Sequence, residues 1–80
     1  MHLEHLIKMV NQIGGFFEAM PDREEAQAGV AQHLRAYWDP RMRRQLLAHV
    51  DAGGSGLGAF ALEALRLHQA ALTPAPAMGP

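Results

Sequence analysis

The chain has 80 residues, of which 49% are hydrophobic and 19% charged, and its formal net charge at pH 7 is −1. These values favour one small globular domain and argue against general electrostatic binding to nucleic acid or anionic lipid. The absence of cysteine excludes disulfides, thiolate metal sites and cysteine-ligated iron–sulfur clusters. No apolar run reaches the roughly 18 residues of a membrane span, and the N-terminus is polar where a signal peptide would be apolar. We therefore expect a cytoplasmic protein that does not bind membranes.

The first predicted helix covers residues 3–19. Gly14 and Gly15 lie in its middle, where each glycine costs about 1 kcal/mol relative to alanine, so the pair should mark either a kink or a close helix approach. We favour close approach by another backbone. Met9 and Phe16 fall partly off the apolar stripe and suggest an additional contact surface. The stripe itself recurs at alternating spacings of three and four, which is typical of one helical face, and consists of Leu3, Leu6, Val10, Ile13, Phe17 and Met20.

Two further helices are predicted over residues 23–37 and 40–51. Asp22 and Asp39 are suitable N-caps, and Pro40 suits a first helical position because its missing N–H has no partner there anyway. The predicted buried positions of the second helix are Ala26, Val30, His33 or Leu34, and Tyr37. Those of the third helix are Met42, Leu46, and His49 or Val50.

A glycine-rich stretch, residues 53–56, predicts the left-handed end of the third helix and a short loop. Ser55 is a possible cap for a fourth helix over residues 57–72. The loop lacks the Gly-Lys-Ser/Thr ending of a phosphate-binding loop and follows no strand, so it does not predict nucleotide binding. Residues 1–73 are expected to form a single all-α domain, a small bundle of about four helices, followed by a flexible tail rich in proline and alanine, 74–80.

The histidines and the serine of the chain do not indicate a catalytic or metal-binding site. Of the five histidines only His2 and His5 are close in sequence, and no third ligand beyond Glu4 is nearby. Ser55 is the only serine and has no acid–base partner placed to activate it. We therefore predict no catalytic, cofactor-binding or metal-binding residue in this chain.

A basic cluster, formed by Arg41, Arg43 and Arg44, lies at the start of the third predicted helix. Three interpretations of it remain open. It can be a solvated basic face, a phosphate-binding surface in which Tyr37 and Trp38 stack on bases, or a protein-recognition surface. The net charge disfavours nucleic acid, whereas Trp, Arg and Met are enriched at protein interfaces. The predicted partner interface therefore comprises Trp38, Arg41, Met42, Arg43, Arg44, Met9 and Phe16.

Several strings in the chain resemble one protein family. They are Leu-Ile-Lys-Met-Val-Asn-Gln-Ile-Gly at 6–14, Phe-Phe at 16–17, His-Leu-Arg at 33–35, Trp-Asp-Pro-Arg-Met-Arg at 38–43 and Gly-Gly-Ser-Gly-Leu at 53–57. Together they are similar to the delta subunit of soluble, NAD-dependent, molybdenum-containing formate dehydrogenases, over most of the chain from residue 6 to about residue 65.

This resemblance implies a small accessory component of a multi-subunit enzyme that oxidises formate to CO2. Its partner would be a large catalytic chain that holds a bis-molybdopterin guanine dinucleotide and iron–sulfur clusters, with further chains carrying FMN and clusters to NAD. The expected function is a non-catalytic subunit that docks on the catalytic chain and stabilises the assembled, cofactor-loaded complex. Two alternatives stay open: a transient chaperone for molybdenum-cofactor insertion, and a free-standing nucleic-acid-binding helical module.

Overall fold

The structure is a computed structural model and describes residues 2–75. Within that range the chain forms helices and no strand, so the predicted all-α fold is confirmed. The first three helices lie within one residue of their predicted limits, whereas the fourth predicted helix starts later and is divided in two. The helices are α1 (Leu3–Glu18), α2 (Arg23–Tyr37), α3 (Pro40–Asp51), α4 (Ala59–Leu67) and α5 (Gln69–Leu72).

Side-chain caps fix the starts of α2 and α3, as the sequence predicts. The Asp22 carboxylate accepts a hydrogen bond from the backbone N–H of Glu25 at 3.2 Å, and that of Asp39 accepts from the N–H of Met42 at 3.0 Å. Each bond satisfies one of the backbone donors that a helix start leaves without a partner. Pro40 is the first residue of α3.

The glycine pair after α3 ends that helix with two backbone hydrogen bonds. The N–H of Gly54 donates to the carbonyl of His49 at 2.9 Å, and that of Gly53 donates to the carbonyl of Val50 at 3.0 Å. This arrangement is a Schellman motif, and it places Gly53 at a φ of +118°, which side-chain-bearing residues rarely adopt. The predicted left-handed helix end is thus confirmed.

The fourth predicted helix differs from the structure at both ends. Gly58 rather than Ser55 is the N-cap of α4, because the chain between Gly53 and Gly56 still turns with positive φ. At the other end His68 leaves the helical region, with φ −111° and ψ 20°, and separates α4 from α5. After this break α5 contacts both α2 and α3, and Leu72 is buried.

The core lies where α1, α2, α3 and α4 meet, and the predicted inward positions mostly occupy it. Tyr37 is an exception, because 76% of its surface is exposed, and Trp38 takes the next inward position instead. The prediction for Tyr37 was wrong because the helix ends there and the chain turns inward one residue later. The largest fully buried side chains are Leu6, Val10, Gln27, Val30, Leu34, Leu46, Leu65 and Leu72.

Only one of the two mid-helix glycines marks a close approach. A Cβ atom added to Gly14 would lie 3.2 Å from the Cβ and 3.8 Å from the Cα of Ala61, so α4 crosses α1 at this point. A Cβ atom on Gly15 would meet nothing within 4 Å. The expectation of a close neighbour is confirmed for Gly14 and wrong for Gly15, which faces outward.

Part of the predicted flexible tail, residues 76–80, lies outside the described residues, and that prediction stays open. Residues 74 and 75 belong to no helix. Among residues 2–75, none of the helices has both the length and the apolar character needed to cross a membrane.

Candidate partner interface

The turn between α2 and α3 is built around Trp38. Its backbone N–H donates to the carbonyl of Leu34 at 2.9 Å, which closes α2, while its side chain is 5% exposed and belongs to the core. A side chain this deeply buried offers almost no area to another protein. Trp38 is therefore part of the core of this chain, with little free area for a partner.

Arg41 and Arg44 are the exposed arginines of this cluster. They lie three residues apart on α3, a spacing that places them on neighbouring positions of one helical face. Among the residues that the structure describes, the single ion pair joins Arg23 to Glu63, so neither Arg41 nor Arg44 has an acidic partner there. Both guanidinium groups are consequently available to carboxylates of another chain.

Arg43 points in a different direction and is partly buried. Its Nη1 atom donates a hydrogen bond to the carbonyl oxygen of Leu72 at 3.2 Å, at the last residue of α5. A cation beside a helix C-terminus is electrostatically favourable. Arg43 thus joins α3 to α5, and its guanidinium is already engaged within the chain.

The other three residues of the predicted interface divide in the same way. Met9 and Met42 are half-buried and pack against the core. Phe16 is 75% exposed on the outer side of α1. Of the seven predicted residues, Phe16, Arg41 and Arg44 are therefore the ones with substantial free surface.

Four rings form a row between α1 and α2 that was not identified from the sequence. This ring row consists of Phe16, Phe17, His33 and Tyr37. Phe16 and Phe17 meet edge to face with centroids 5.2 Å apart, Phe17 lies 6.3 Å from His33, and His33 lies 4.9 Å from Tyr37. The four-residue spacing of His33 and Tyr37 was the available signal, but it was interpreted as a buried stripe. The row borders an open cavity of about 250 Å³ lined by Phe17, Gly29, Gln32, His33, Ala36 and Tyr37.

One ion pair connects the start of α2 to α4. Arg23 Nη2 lies 2.6 Å from Glu63 Oε2, and the Arg23 guanidinium also sits 5.2 Å from the centroid of the Phe60 ring. The hydrogen bond from Arg23 holds the pKa of the Glu63 carboxyl below its ordinary value of 4.5. The pair is exposed and joins two helices, which is a structural role.

The histidines do not form a metal centre within the described part of the chain, residues 2–75, where no three His, Cys, Asp or Glu side chains are grouped to hold an ion. His49 Nε2 donates instead to the carbonyl oxygen of Ser55 at 2.6 Å, so this ring braces the glycine-rich loop. His2 and His5 are exposed at the start of the chain.

The family model for the NADH-dependant formate dehydrogenase delta subunit FdsD matches residues 5–65 of the chain. The chain belongs to this family. The match includes the basic cluster and the ring row and ends before α5. No curated protein and no solved structure is similar to the chain at a significant level.

Membership in the delta-subunit family makes this chain an accessory subunit of a formate dehydrogenase. The resemblance inferred from the sequence is thereby confirmed. Arg41, Arg44 and Phe16 are the exposed members of the predicted partner interface, which stays a prediction.

Proposed function

We propose that this delta subunit is a non-catalytic component that docks on the large catalytic chain of a cytoplasmic formate dehydrogenase and stabilises the assembled, cofactor-loaded enzyme. The catalytic chain would hold the bis-molybdopterin guanine dinucleotide and iron–sulfur clusters, and further chains would carry FMN and clusters to NAD. The delta subunit itself would bind none of these groups.

The observation that carries the proposal is the position of Arg41 and Arg44. Arg41 lies in the first turn of α3, near the positive end of the helix dipole, where a cation is unfavourable by about 0.3–1 kcal/mol, and Arg44 lies three residues further along the same face. Within residues 2–75 neither side chain forms an ion pair, and the Asp39 carboxylate at the N-cap accepts from the N–H of Met42. Arginine forks match carboxylates in a bidentate geometry, so acidic residues of a partner chain are the expected counterpart.

The residue types in the chain support a non-catalytic role. Iron–sulfur clusters require thiolate or similar ligands, and the chain contains no cysteine. Its only serine, Ser55, lies in the loop before α4, where its backbone carbonyl accepts from His49. Formate oxidation would then occur on another chain of the complex.

The experiment is co-expression of the enzyme subunits with a tagged delta subunit that carries Arg41→Ala and Arg44→Ala. We expect the isolated variant to be as helical as wild type, because both side chains are exposed, yet to retain less of the catalytic chain during purification. Formate-dependent reduction of NAD should fall in proportion to the loss of the catalytic chain. Arg66→Ala is the matched control, since Arg66 is an exposed arginine on another helix, α4.

Two outcomes would contradict the proposal. Full assembly and full activity of the double variant would show that Arg41 and Arg44 belong to a solvated basic face and do not contribute to docking. A wild-type delta subunit that is absent from purified active enzyme, but needed while the molybdenum cofactor is inserted, would favour the transient chaperone. Stoichiometric delta subunit in the active enzyme supports the structural role.

A further inference from the structure

The short helix α5 is attached to the bundle by a small set of contacts. It has four residues, too few to be stable as an isolated helix, and Leu72 is the one among them that is buried. Two side-chain hydrogen bonds connect it to α3: Gln69 Nε2 donates to Asp51 Oδ1 at 2.9 Å, and Arg43 Nη1 donates to the Leu72 carbonyl at 3.2 Å. Attachment of α5 therefore sets the burial of one leucine and these bonds against the loss of backbone freedom in this segment.

The chain around His68, where α4 passes into α5, is loosely packed. Two open clefts, of about 200 Å³ and about 390 Å³, both have His68 in their lining. The backbone of this residue leaves the helical region, so α4 and α5 do not form one rigid rod. Rotation at one such residue is enough to move a short element while the rest of the fold stays in place.

The guanidinium of Arg43 is incompletely paired while α5 is attached. Its bond to the Leu72 carbonyl is at the long end of the usual range, and its Nε atom is buried without an acceptor among the described residues. Arg43 forms no ion pair within residues 2–75. A buried donor without an acceptor lowers stability, so the attached state carries a cost that a carboxylate beside Arg43 would remove.

The same side chain belongs to the basic cluster that we propose as the docking surface. Consecutive Cα atoms are about 3.8 Å apart, so a carboxylate of a partner that meets Arg44 comes within reach of Arg43 as well. The nearest acidic residue in the sequence, Asp39, already accepts a hydrogen bond from the backbone at the start of α3. A charge-assisted bond to a carboxylate is stronger than a bond to a neutral carbonyl, so the partner can take the guanidinium from Leu72.

We propose that α5 is a latch that pivots at His68, and that docking of an acidic surface of the catalytic formate dehydrogenase chain opens it by drawing Arg43 away from Leu72. The inference rests on the docking role proposed above and adds a conformational step to it. Helices α1 to α4 stay folded in both states. Because binding and opening are linked, opening of the latch favours docking by the same factor by which docking favours opening.

Amide hydrogen exchange of the delta subunit, alone and in the assembled enzyme, tests the latch. The Leu72 and Thr73 N–H groups donate to the carbonyls of His68 and Gln69, so their exchange reports the state of α5. We expect both amides to lose about tenfold or more of their protection on assembly, while the amide of Val30 in the middle of α2 keeps its protection. Unchanged or greater protection of Leu72 and Thr73 in the enzyme would overturn the latch, as would their complete lack of protection in the isolated chain.

A reversible lock on α5 tests whether opening matters for docking. Asp51→Cys with Gln69→Cys is bridged by a bis-maleimide that contains a reducible disulfide, and the chain has no other cysteine to react. We expect the bridged subunit to bind catalytic chain prepared without delta subunit about tenfold more weakly than wild type, and reduction of the bridge before mixing to restore binding. Arg23→Cys with Glu63→Cys is the matched control, because this exposed pair joins α2 to α4 and leaves α5 free.

The outcomes separate the latch from the docking role on which it rests. A locked subunit that binds as tightly as the reduced one, with stoichiometric delta subunit in the enzyme, would overturn the latch and leave the docking role standing. Equal weakening by the lock and by the control bridge would also overturn the latch, because the effect would then not come from α5. A delta subunit that never accompanies the catalytic chain would remove both.

Discussion

The side chain of Asn11 is hydrogen-bonded to the backbone at Gly58, 47 residues later in the chain. Asn11 Oδ1 accepts from the N–H of Gly58 at 2.9 Å, and Asn11 Nδ2 donates to the carbonyl of Gly56, also at 2.9 Å. An amide can make both bonds because it carries an acceptor and a donor. These bonds fix the end of the glycine-rich loop against α1 and set where α4 begins.

Asn11→Asp tests this connection with a side chain of the same shape. The carboxylate can still accept from Gly58, but it faces the Gly56 carbonyl with a second acceptor where a donor is required. We expect the free energy of unfolding to fall by about 1–3 kcal/mol, measured by urea denaturation. Gln12→Glu is the control, since it makes the same amide-to-acid change on an exposed neighbour. Equal losses from both variants would show that the connection contributes nothing.

The two glycines of α1 give a matched pair of alanine substitutions. Gly15→Ala should raise the free energy of unfolding by about 0.5–1 kcal/mol, because alanine restricts the unfolded chain and Gly15 has open space around it. Gly14→Ala restricts the unfolded chain in the same way, which favours folding. Its new methyl group, however, would lie 3.2 Å from the Ala61 Cβ, so α1 and α4 have to separate slightly. We expect Gly14→Ala to be less stable than Gly15→Ala. The reverse order would contradict the close crossing of these helices.

Glu63 provides a pH-dependent prediction. Its pKa is lowered in the folded chain, chiefly by the hydrogen bond from Arg23, so the unfolded chain binds the proton more readily. The stabilisation is therefore complete above the ordinary pKa of 4.5 and disappears as the pH falls through the lower folded value. Glu63→Gln should lower the midpoint of thermal unfolding at neutral pH and converge with wild type in acid. In an Arg23→Gln background the substitution should lose this pH-dependent effect; if it does not, the pair is not its source.

The sequence predicts those parts of the fold that depend on neighbouring residues. Asp22 and Asp39 cap helices, and Gly53 ends one, because their bonds reach only a few residues along the chain. The Asn11 contact with the loop could not be predicted, since it joins residues whose proximity depends on the whole bundle. The start of α4 was misplaced for that reason.

At the candidate site, too, the sequence predicts local features but not those that depend on the tertiary structure. The local density of arginines identified the basic cluster, and helical spacing separates Arg43 from Arg41 and Arg44, but the contact of Arg43 with Leu72 could not be predicted because it depends on α5 folding back there. Tyr37 and Trp38 are adjacent aromatic residues in the sequence, and helical spacing placed the wrong one inside. The end of α2 at Tyr37 determines which of the two side chains is buried. That end depends on the position of the Trp38 ring in the core.

Arg43→Met removes the hydrogen bond from the Arg43 guanidinium to the carbonyl of Leu72 but keeps most of the apolar stem of the side chain. We expect the free energy of unfolding to fall by about 1 kcal/mol. Amide hydrogen exchange at Leu72 and Thr73 should also accelerate, because these N–H groups close the last turn that Arg43 holds in place. Arg44→Met, a change on the exposed neighbour, should alter stability by less than about 0.5 kcal/mol. Unchanged exchange at both amides in Arg43→Met would mean that Leu72 and the hydrogen bond from Gln69 Nε2 to Asp51 Oδ1 hold α5 without Arg43.

Trp38→Ala tests whether this side chain serves the fold or the interface. Trp38 is 5% exposed inside the core, so truncation should cost about 3–5 kcal/mol, as for other buried aromatic residues. A domain this small has a net stability of only about 3–5 kcal/mol, so the variant should be largely unfolded at 25 °C by far-UV circular dichroism. Tyr37→Ala, which truncates the exposed neighbour, should keep the helical spectrum of wild type. If Trp38→Ala stays folded and fails only in binding the catalytic chain, the tryptophan belongs to the interface after all.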